Sequence, residues 1–104
     1  RKLGPANPLA ETTGYGIVEW DDRTRDPRLV SLSFGGICPP KKAALPQRLA
    51  FVHAELVTLL ARFQPDVVSV EEVFYSVNAK SALKLGHVRG VALLAAASAG
   101  IPVA

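Results

Sequence analysis

The sequence predicts an α/β domain in which helical crossovers connect the strands of one sheet. Two long segments with helical character alternate with short, β-branched runs. A segment near the N-terminus that largely alternates apolar and polar residues precedes them and predicts an antiparallel hairpin. The chain has 104 residues, which is the length of one domain. We therefore expect a mixed sheet with an N-terminal antiparallel hairpin and parallel later strands flanked by helices.

The N-terminal half predicts the two strands of the hairpin. Gly14 to Trp20 contains several β-prone residues, and Leu29 to Phe34 largely alternates apolar and polar side chains. The charged segment between them contains a proline and predicts a turn. We expect Gly35 to Lys42 to form a loop, because its two consecutive prolines suit neither a helix nor a β-ladder.

The C-terminal half predicts two helices with a buried strand between them. We expect the first helix from Pro46 to Phe63, since proline is favoured in the first turn. Val67 to Val70 is short and mostly β-branched, as buried parallel strands are. The second helix is predicted from Asn78, as its N-cap, to about Ser98, and Ile101 to Val103 begins a further strand. The apolar stripe predicted on the first helix consists of Leu49, Val52, Leu56, Leu59 and Phe63.

Composition favours a cytoplasmic protein and permits a phosphate-rich partner. The formal net charge is +3 and the sequence pI is about 9.4, values that proteins without such a partner also reach. Cys38 is the only cysteine, which excludes an internal disulfide and a multi-cysteine zinc site and suits a reducing compartment. We expect no secretory signal, and the apolar stretch 91–104 is too short to span a bilayer.

The segment from Val67 to Gly90 carries the strongest functional signal. Its apolar run ends on two carboxylates, Glu71 and Glu72, at the end of a predicted parallel strand, where α/β sheets place their sites. Phe74 and Tyr75 follow, and cations on the second helix come next. This order suits an enzyme that holds a divalent metal against a nucleic-acid backbone. On spacing alone, a solvated acid at a strand terminus explains Glu71 equally well.

This segment, together with NPLAETTGYGIVE near the start, resembles the RuvC family of Holliday-junction resolvases. The resemblance covers nearly all of the chain and about two-thirds of the family's domain. It implies a ribonuclease-H-like fold, with residues 1–104 forming a single, incomplete RuvC-like domain. It also implies descent from a Mg²⁺-dependent, structure-selective crossover junction endodeoxyribonuclease of DNA recombination and repair. The partners that it implies are four-way junction DNA, a second copy of the chain and the RuvA–RuvB branch-migration complex.

The resemblance assigns catalytic, metal-binding roles to two positions. Glu71 matches the first glutamate of the family motif, and Asn7 stands where the family has an aspartate followed by proline. We expect the neutral amide to weaken the two-metal Mg²⁺ site and to remove most turnover, because neighbouring cations require several anionic ligands. Without the resemblance, Asn7–Pro8 is typical of a turn start. Two further catalytic aspartates of the family have no counterpart up to Ala104.

Four residues are predicted to contact DNA. Phe74 matches the phenylalanine that the family inserts near the junction crossover, and Tyr75 follows it. Exposed aromatics stack on unpaired bases for about 1–3 kcal/mol each, although core packing is the alternative for both. Lys80 and Lys84 on the second helix are predicted phosphate contacts, with a solvated helix face as the alternative.

Small residues four apart mark the second helix. Ala82, Gly86 and Gly90 form a flat stripe, and a glycine inside a helix costs about 1 kcal/mol, so the stripe suggests close approach of another backbone. The family pairs two subunits across this helix, which implies a symmetric homodimer. Tight packing against the sheet would explain the same stripe. His87 is expected to be a surface or interface residue.

Two functions of different classes remain open. The first is a junction endonuclease, impaired as written, that binds junctions weakly and does not cut them. The alternative is a non-catalytic DNA-junction-binding or dimerisation module. A relative of sugar and acetate kinases is a weaker third hypothesis, because their glycine-rich phosphate turns are not visible. The endonuclease hypothesis requires positions 7 and 71 to converge at neighbouring strand ends.

Overall fold

The computed structural model describes residues 2–3, 13–71 and 79–104, and it describes side chains for 13–71, 83 and 86–104. Within these ranges the chain forms one four-stranded sheet, in the order β3-β2-β1-β4, and two long helices. The predicted α/β class is confirmed. The elements are β1 (Lys2–Leu3), β2 (Thr13–Asp21), β3 (Arg28–Ile37), α1 (Leu45–Phe63), β4 (Val67–Val68) and α2 (Ala79–Ser98).

The sheet is mixed, as the sequence predicts. β2 pairs with β3 and with β1 in antiparallel fashion, whereas β1 pairs with β4 in parallel. The strand expected at Ile101 to Val103 is reduced to a parallel bridge between Val68 and Val103. Two backbone hydrogen bonds of 2.9 Å flank this bridge: Val68 N–H donates to the carbonyl of Pro102, and Ala104 N–H donates to that of Val68.

The prediction of a loop from Gly35 to Lys42 is wrong for its first three residues, which belong to β3. β3 continues to Ile37, because Gly35 and Gly36 pair with Tyr15 and Gly14 of β2. Glycine is depleted in strands, and a glycine pair gives no pattern from which pairing can be predicted. Gly35 lies under the Tyr15 ring, since a Cβ built on it would lie 3.2 Å from the ring's Cε1. A side chain is therefore excluded here unless the ring moves.

Helix α1 supplies the centre of the core. Proline stands in its first turn, as predicted, and the helix ends at Phe63. Its buried row is Val52, Leu56 and Leu60, each four residues apart, whereas Leu59 and Phe63 are only partly buried. The predicted stripe is therefore displaced by one residue at its C-terminal end, because the i, i+4 row faces the centre of the core.

Helix α2 packs against α1 through small side chains. Ala92, Ala95 and Ala96 are buried in the core cluster, together with residues of the sheet and of α1. The helix ends in a Schellman-type turn, in which Ile101 N–H donates to the Ala96 carbonyl and Gly100 adopts a φ of 72°. No helix in the described ranges is long and apolar enough to cross a membrane.

Candidate functional site

The candidate site lies at one edge of the sheet, which we call the Glu71 edge. Leu3 pairs with Val68 in parallel register, so β1 and β4 leave the sheet at the same edge. Because β2 is antiparallel to β1 and pairs Thr13 with Ile37, β2 begins and β3 ends there too. The Glu71 edge thus collects the segment after β4 and the loop after β3. The carboxyl ends of parallel strands are where α/β sheets place their sites.

Glu71 is an exposed carboxylate just beyond β4. Val68 is fully buried and Val70 packs against the core cluster, which anchors the segment that leads to Glu71. Glu71 itself is exposed, three residues after the strand ends. Its carboxylate is a hard oxygen ligand of the kind that Mg²⁺ prefers, and it is accessible to solvent. The acid thus lies three residues beyond the strand rather than directly after it, because β4 ends at Val68 and not at the predicted Val70. Its catalytic role stays a prediction.

Six of the other predicted site residues lie wholly or partly outside what the structure describes. Asn7, Phe74 and Tyr75 fall in the gaps at 4–12 and 72–78, and Glu72 does as well. The side chains of Lys80, Ala82 and Lys84 are likewise outside the described residues, although α2 contains all three. Their predicted roles therefore stay predictions.

The described side chains do not by themselves complete a metal site. No group of three or more His, Cys, Asp or Glu residues that could hold a metal ion occurs within the described ranges. The Glu71 carboxylate is a suitable type of ligand for a divalent metal. It does not make a site alone, because a bound Mg²⁺ needs several oxygen ligands.

Charged residues at the opposite edge form a separate cluster at the turn between β2 and β3. The side chain of Arg23 forms an ion pair with Asp21, with 3.1 Å between Nε and Oδ1, and the Arg23 backbone N–H donates to the same oxygen at 3.1 Å. These hydrogen bonds from Arg23 hold the pKa of the Asp21 carboxyl below its ordinary value. Asp66, which precedes β4, also lies at this edge.

One face of α2 is open at the described positions from Leu83 to Leu94. Gly86 and Gly90 are exposed, and a Cβ built on either meets nothing within 4 Å. Packing of these two glycines against the sheet is therefore wrong as an explanation. Leu83 and Leu94 lie on the same helical face and are 65% and 58% exposed. His87 is exposed, as expected.

Sequence reasoning missed the two leucines on this face. The glycines stand out in the sequence because glycine is costly in a helix, whereas the leucines stand among other apolar residues of α2. The signal that could have found them is their spacing from the glycines. Successive steps of three, four and four residues lead from Leu83 through Gly86 and Gly90 to Leu94, which is the spacing of one helical face.

Sequence reasoning also missed an apolar outer face of the hairpin. Trp20 and its cross-strand partner Leu29 are 58% and 64% exposed, and Phe34 is 80% exposed. Phe34 pairs with Gly16, at which a Cβ would meet nothing within 4 Å. Alternation of apolar and polar residues predicts that one face of a hairpin is covered by the rest of the domain. It does not show which large apolar side chains lie on the uncovered face.

The comparisons with known proteins agree on one family. The family model described as Crossover junction endodeoxyribonuclease RuvC matches residues 4–104. A protein of Acidobacterium capsulatum with that name is 68% identical over 98 residues, which cover 91% of this chain and 57% of the relative. Its namesake in Koribacter versatilis is 50% identical over 95 residues, which cover 91% of this chain and 55% of the relative.

Solved structures confirm the predicted ribonuclease-H-like fold. The structure described as T. thermophilus RuvC in complex with Holliday junction substrate superimposes with a TM-score of 0.84 at 26% identity. The alignment covers 98% of this chain and 62% of that one. The chain thus spans little more than half the length of the relatives that it matches. The predicted resemblance is confirmed, and the chain belongs to the RuvC family of crossover junction endodeoxyribonucleases.

Proposed function

We propose that the protein binds four-way junction DNA and carries a Mg²⁺-dependent, structure-selective endonuclease site that is impaired by Asn7. The observation that carries this proposal is the exposed Glu71 carboxylate just beyond β4, a strand parallel to β1, in a chain of the RuvC family. Family membership supports the reaction class, and the described geometry supports one of the acids that the reaction requires.

The junction substrate is supported by a related structure. The T. thermophilus RuvC that superimposes on this chain is described in complex with Holliday junction substrate. Phe74 and Tyr75, four residues or fewer after Glu71, would contact unpaired bases near the crossover, where each stacked base contributes about 1–3 kcal/mol. Lys80 and Lys84 on α2 would contact phosphates of the arms.

The proposed metal ligands are Glu71 and Asn7. Bound Mg²⁺ would neutralise charge on the scissile phosphate. Glu71 would supply one anionic oxygen, and Asn7 would supply a neutral amide oxygen in place of an aspartate carboxylate. A bound cation loses attraction when a negative ligand becomes neutral, so this pair would bind Mg²⁺ weakly. For that reason we propose junction binding without efficient cleavage.

The open face of α2 favours a second candidate, a non-catalytic junction-binding or dimerisation module. Gly86 and Gly90 would let another backbone approach closely, and Leu83 and Leu94 would add apolar area to the contact. Both candidate functions include a homodimer across this face, with Ala82 in the interface.

The proposal also includes assembly with the RuvA–RuvB branch-migration complex and a cytoplasmic location. In it, residues 1–104 act as a single RuvC-like domain.

Binding and cleavage assays on one set of DNAs test the proposal. We expect the chain to bind a four-way junction at least about tenfold more tightly than a duplex of the same arm sequence, a difference of about 1.4 kcal/mol. Mg²⁺ should produce little or no cleavage. Glu71→Gln should lower Mg²⁺ affinity without changing junction affinity in EDTA, and Glu55→Gln on the exposed side of α1 is the matched control.

Each outcome decides one part of the proposal. Equal affinity for junction and duplex would overturn the structure-selective function. Efficient cleavage that Glu71→Gln abolishes would establish an active enzyme and refute the impairment. Unchanged Mg²⁺ affinity in Glu71→Gln would remove this carboxylate from the metal site.

A further inference from the structure

A turn that carries two lysines lies at the Glu71 edge and has no role in the function proposed above. It consists of residues Pro40–Ala43, and we call it the lysine turn. Ala43 N–H donates to the Pro40 carbonyl at 3.1 Å, which places Lys41 and Lys42 at the two central positions. Both lysines are exposed.

The lysine turn is held in place from both sides. Pro39, which precedes it, is buried beside the end of β3, where Ile37 is 4% exposed. Arg48 of α1 donates from its guanidinium to the Pro40 carbonyl at 2.9 Å and to the Lys41 carbonyl at 3.5 Å. Two lysines on a braced turn lose less backbone freedom on binding than lysines on a loose loop would.

Topology brings the lysine turn to the same side of the molecule as Glu71. The turn follows the end of β3, β3 ends where β2 begins, and β2 begins where β1 and β4 end. Segments that are far apart in sequence, at 40–43 and 71, therefore leave the sheet at one edge. A DNA arm that reached Glu71 would pass the surface that carries the lysines.

The charges around the lysine turn favour contact with a phosphate backbone. At the opposite edge the hairpin turn carries as many arginines as aspartates, so its formal charges balance, and Asp66 adds an acid before β4. Within the described part of the chain, the structure shows no ion pair to Lys41 or Lys42. The first turn of α1, which follows them, contains no acidic residue. The lysine turn is thus a local source of positive potential.

We propose that Lys41 and Lys42 bind the phosphodiester backbone of a duplex DNA arm and guide it to the Glu71 edge. The inference deepens the proposed function, on which its junction substrate rests, and it adds a contact that needs neither metal nor cleavage. Lysine contacts to phosphates release counterions and carry no base information, so the contact should act on any duplex.

Salt-dependent binding of two charge-matched variants tests the inference on the full chain. Lys41→Gln/Lys42→Gln and the control Arg25→Gln/Arg28→Gln each lower the formal charge from +3 to +1, the control at the opposite edge. For the lysine variant, we expect about tenfold weaker binding to junction and duplex. The slope of the logarithm of the binding constant against the logarithm of the salt concentration should be less negative by about 2. The DNA affinity of the control variant should stay within about twofold of the parent's, because its replaced charges lie away from the bound arm. Both variants should keep the parent's thermal melting temperature, since the replaced side chains are exposed.

Amine acetylation of the parent chain gives a second readout: bound DNA should protect Lys41 and Lys42. Parent-like affinity and slope in the lysine variant, or equal losses in both variants, would overturn the inference and leave junction selectivity intact. Equal binding of junction and duplex, with a loss confined to the lysine variant, would support the inference and overturn the selective function. A parent chain that binds neither DNA would overturn both.

Discussion

Leu3 and Val68 are parallel partners, and this pairing aligns the ends of β1 and β4 at one edge of the sheet. Glu71 follows Val68 by three residues and Asn7 follows Leu3 by four. This pairing meets the first requirement of a shared metal site, because the two strands that precede these positions end side by side.

A carboxylate introduced at position 7 should strengthen metal binding. We expect Asn7→Asp to raise Mg²⁺ affinity by at least about tenfold, because a second anionic ligand adds direct attraction to the cation. Mg²⁺-dependent cleavage of a four-way junction should rise above the parent level. Isothermal titration with Mg²⁺ and a junction cleavage assay measure the two effects.

A double-mutant cycle with Glu71→Gln checks whether positions 7 and 71 bind the same ion. If they do, the gain from Asn7→Asp should fall to a small fraction of its value in the Glu71→Gln background. A full gain in that background would show that the two positions bind metal independently and would contradict a shared site.

A charge on the open face of α2 should disrupt the proposed homodimer. Leu83→Glu places a carboxylate on each subunit in an apolar contact, where burial without a partner is costly. We expect the dimer dissociation constant to rise by at least about tenfold, equivalent to about 1.4 kcal/mol. Sedimentation velocity over a concentration series measures this shift.

Leu29→Glu is the matched control for that experiment. Leu29 is 64% exposed and Leu83 is 65% exposed, so the two substitutions add the same charge at equal accessibility. Leu29 lies on the hairpin, away from α2, and its substitution should leave self-association unchanged. A parent chain that sediments as a monomer at all concentrations would contradict the homodimer, as would equal effects of both substitutions.

Most elements could be predicted from the sequence because their patterns are local. The alternation in Leu29 to Phe34 and the i, i+4 spacing through Val52 and Leu56 each predict an element without knowledge of the rest. β3 could not be followed to Ile37, since Gly35 and Gly36 have little intrinsic preference for a strand. Their place in β3 depends on pairing with β2, which is a non-local property.

The candidate site was predictable only where a motif names its residues. Glu71 could be predicted from the end of an apolar run. The lysine turn could not, because its proximity to the Glu71 edge results from strand order rather than from spacing in the chain. The faces of α2 were ambiguous as well, since alanine or glycine occupies both the buried row at 92–96 and the open stripe. Only packing against α1 shows which face is covered.

The ion pair at the hairpin turn gives a prediction about pH. Hydrogen bonds from Arg23 lower the pKa of Asp21 from its ordinary value of 3.8, so this interaction stabilises the folded hairpin above that pH and is lost as pH falls through the lowered pKa. Arg23→Ala removes the side-chain hydrogen bond and leaves the backbone one. We expect the pKa of Asp21 to rise part of the way to 3.8, measured by NMR titration of its carboxyl carbon. An unchanged pKa would assign the whole shift to the backbone N–H.

Two glycines of the hairpin should respond in opposite ways to the same substitution. A Cβ at Gly35 would lie 3.2 Å from the Tyr15 ring, which packs against the core, whereas a Cβ at Gly16 meets nothing within 4 Å. We expect Gly35→Ala to lower the free energy of unfolding by about 1–2 kcal/mol through overpacking. Gly16→Ala should raise it by up to about 1 kcal/mol, because alanine loses less backbone freedom on folding. Urea unfolding measures both values, and Tyr15→Leu should remove most of the Gly35→Ala penalty by taking away the ring. A penalty that persists in the Tyr15→Leu background would show that the backbone at position 35, rather than the ring above it, requires glycine.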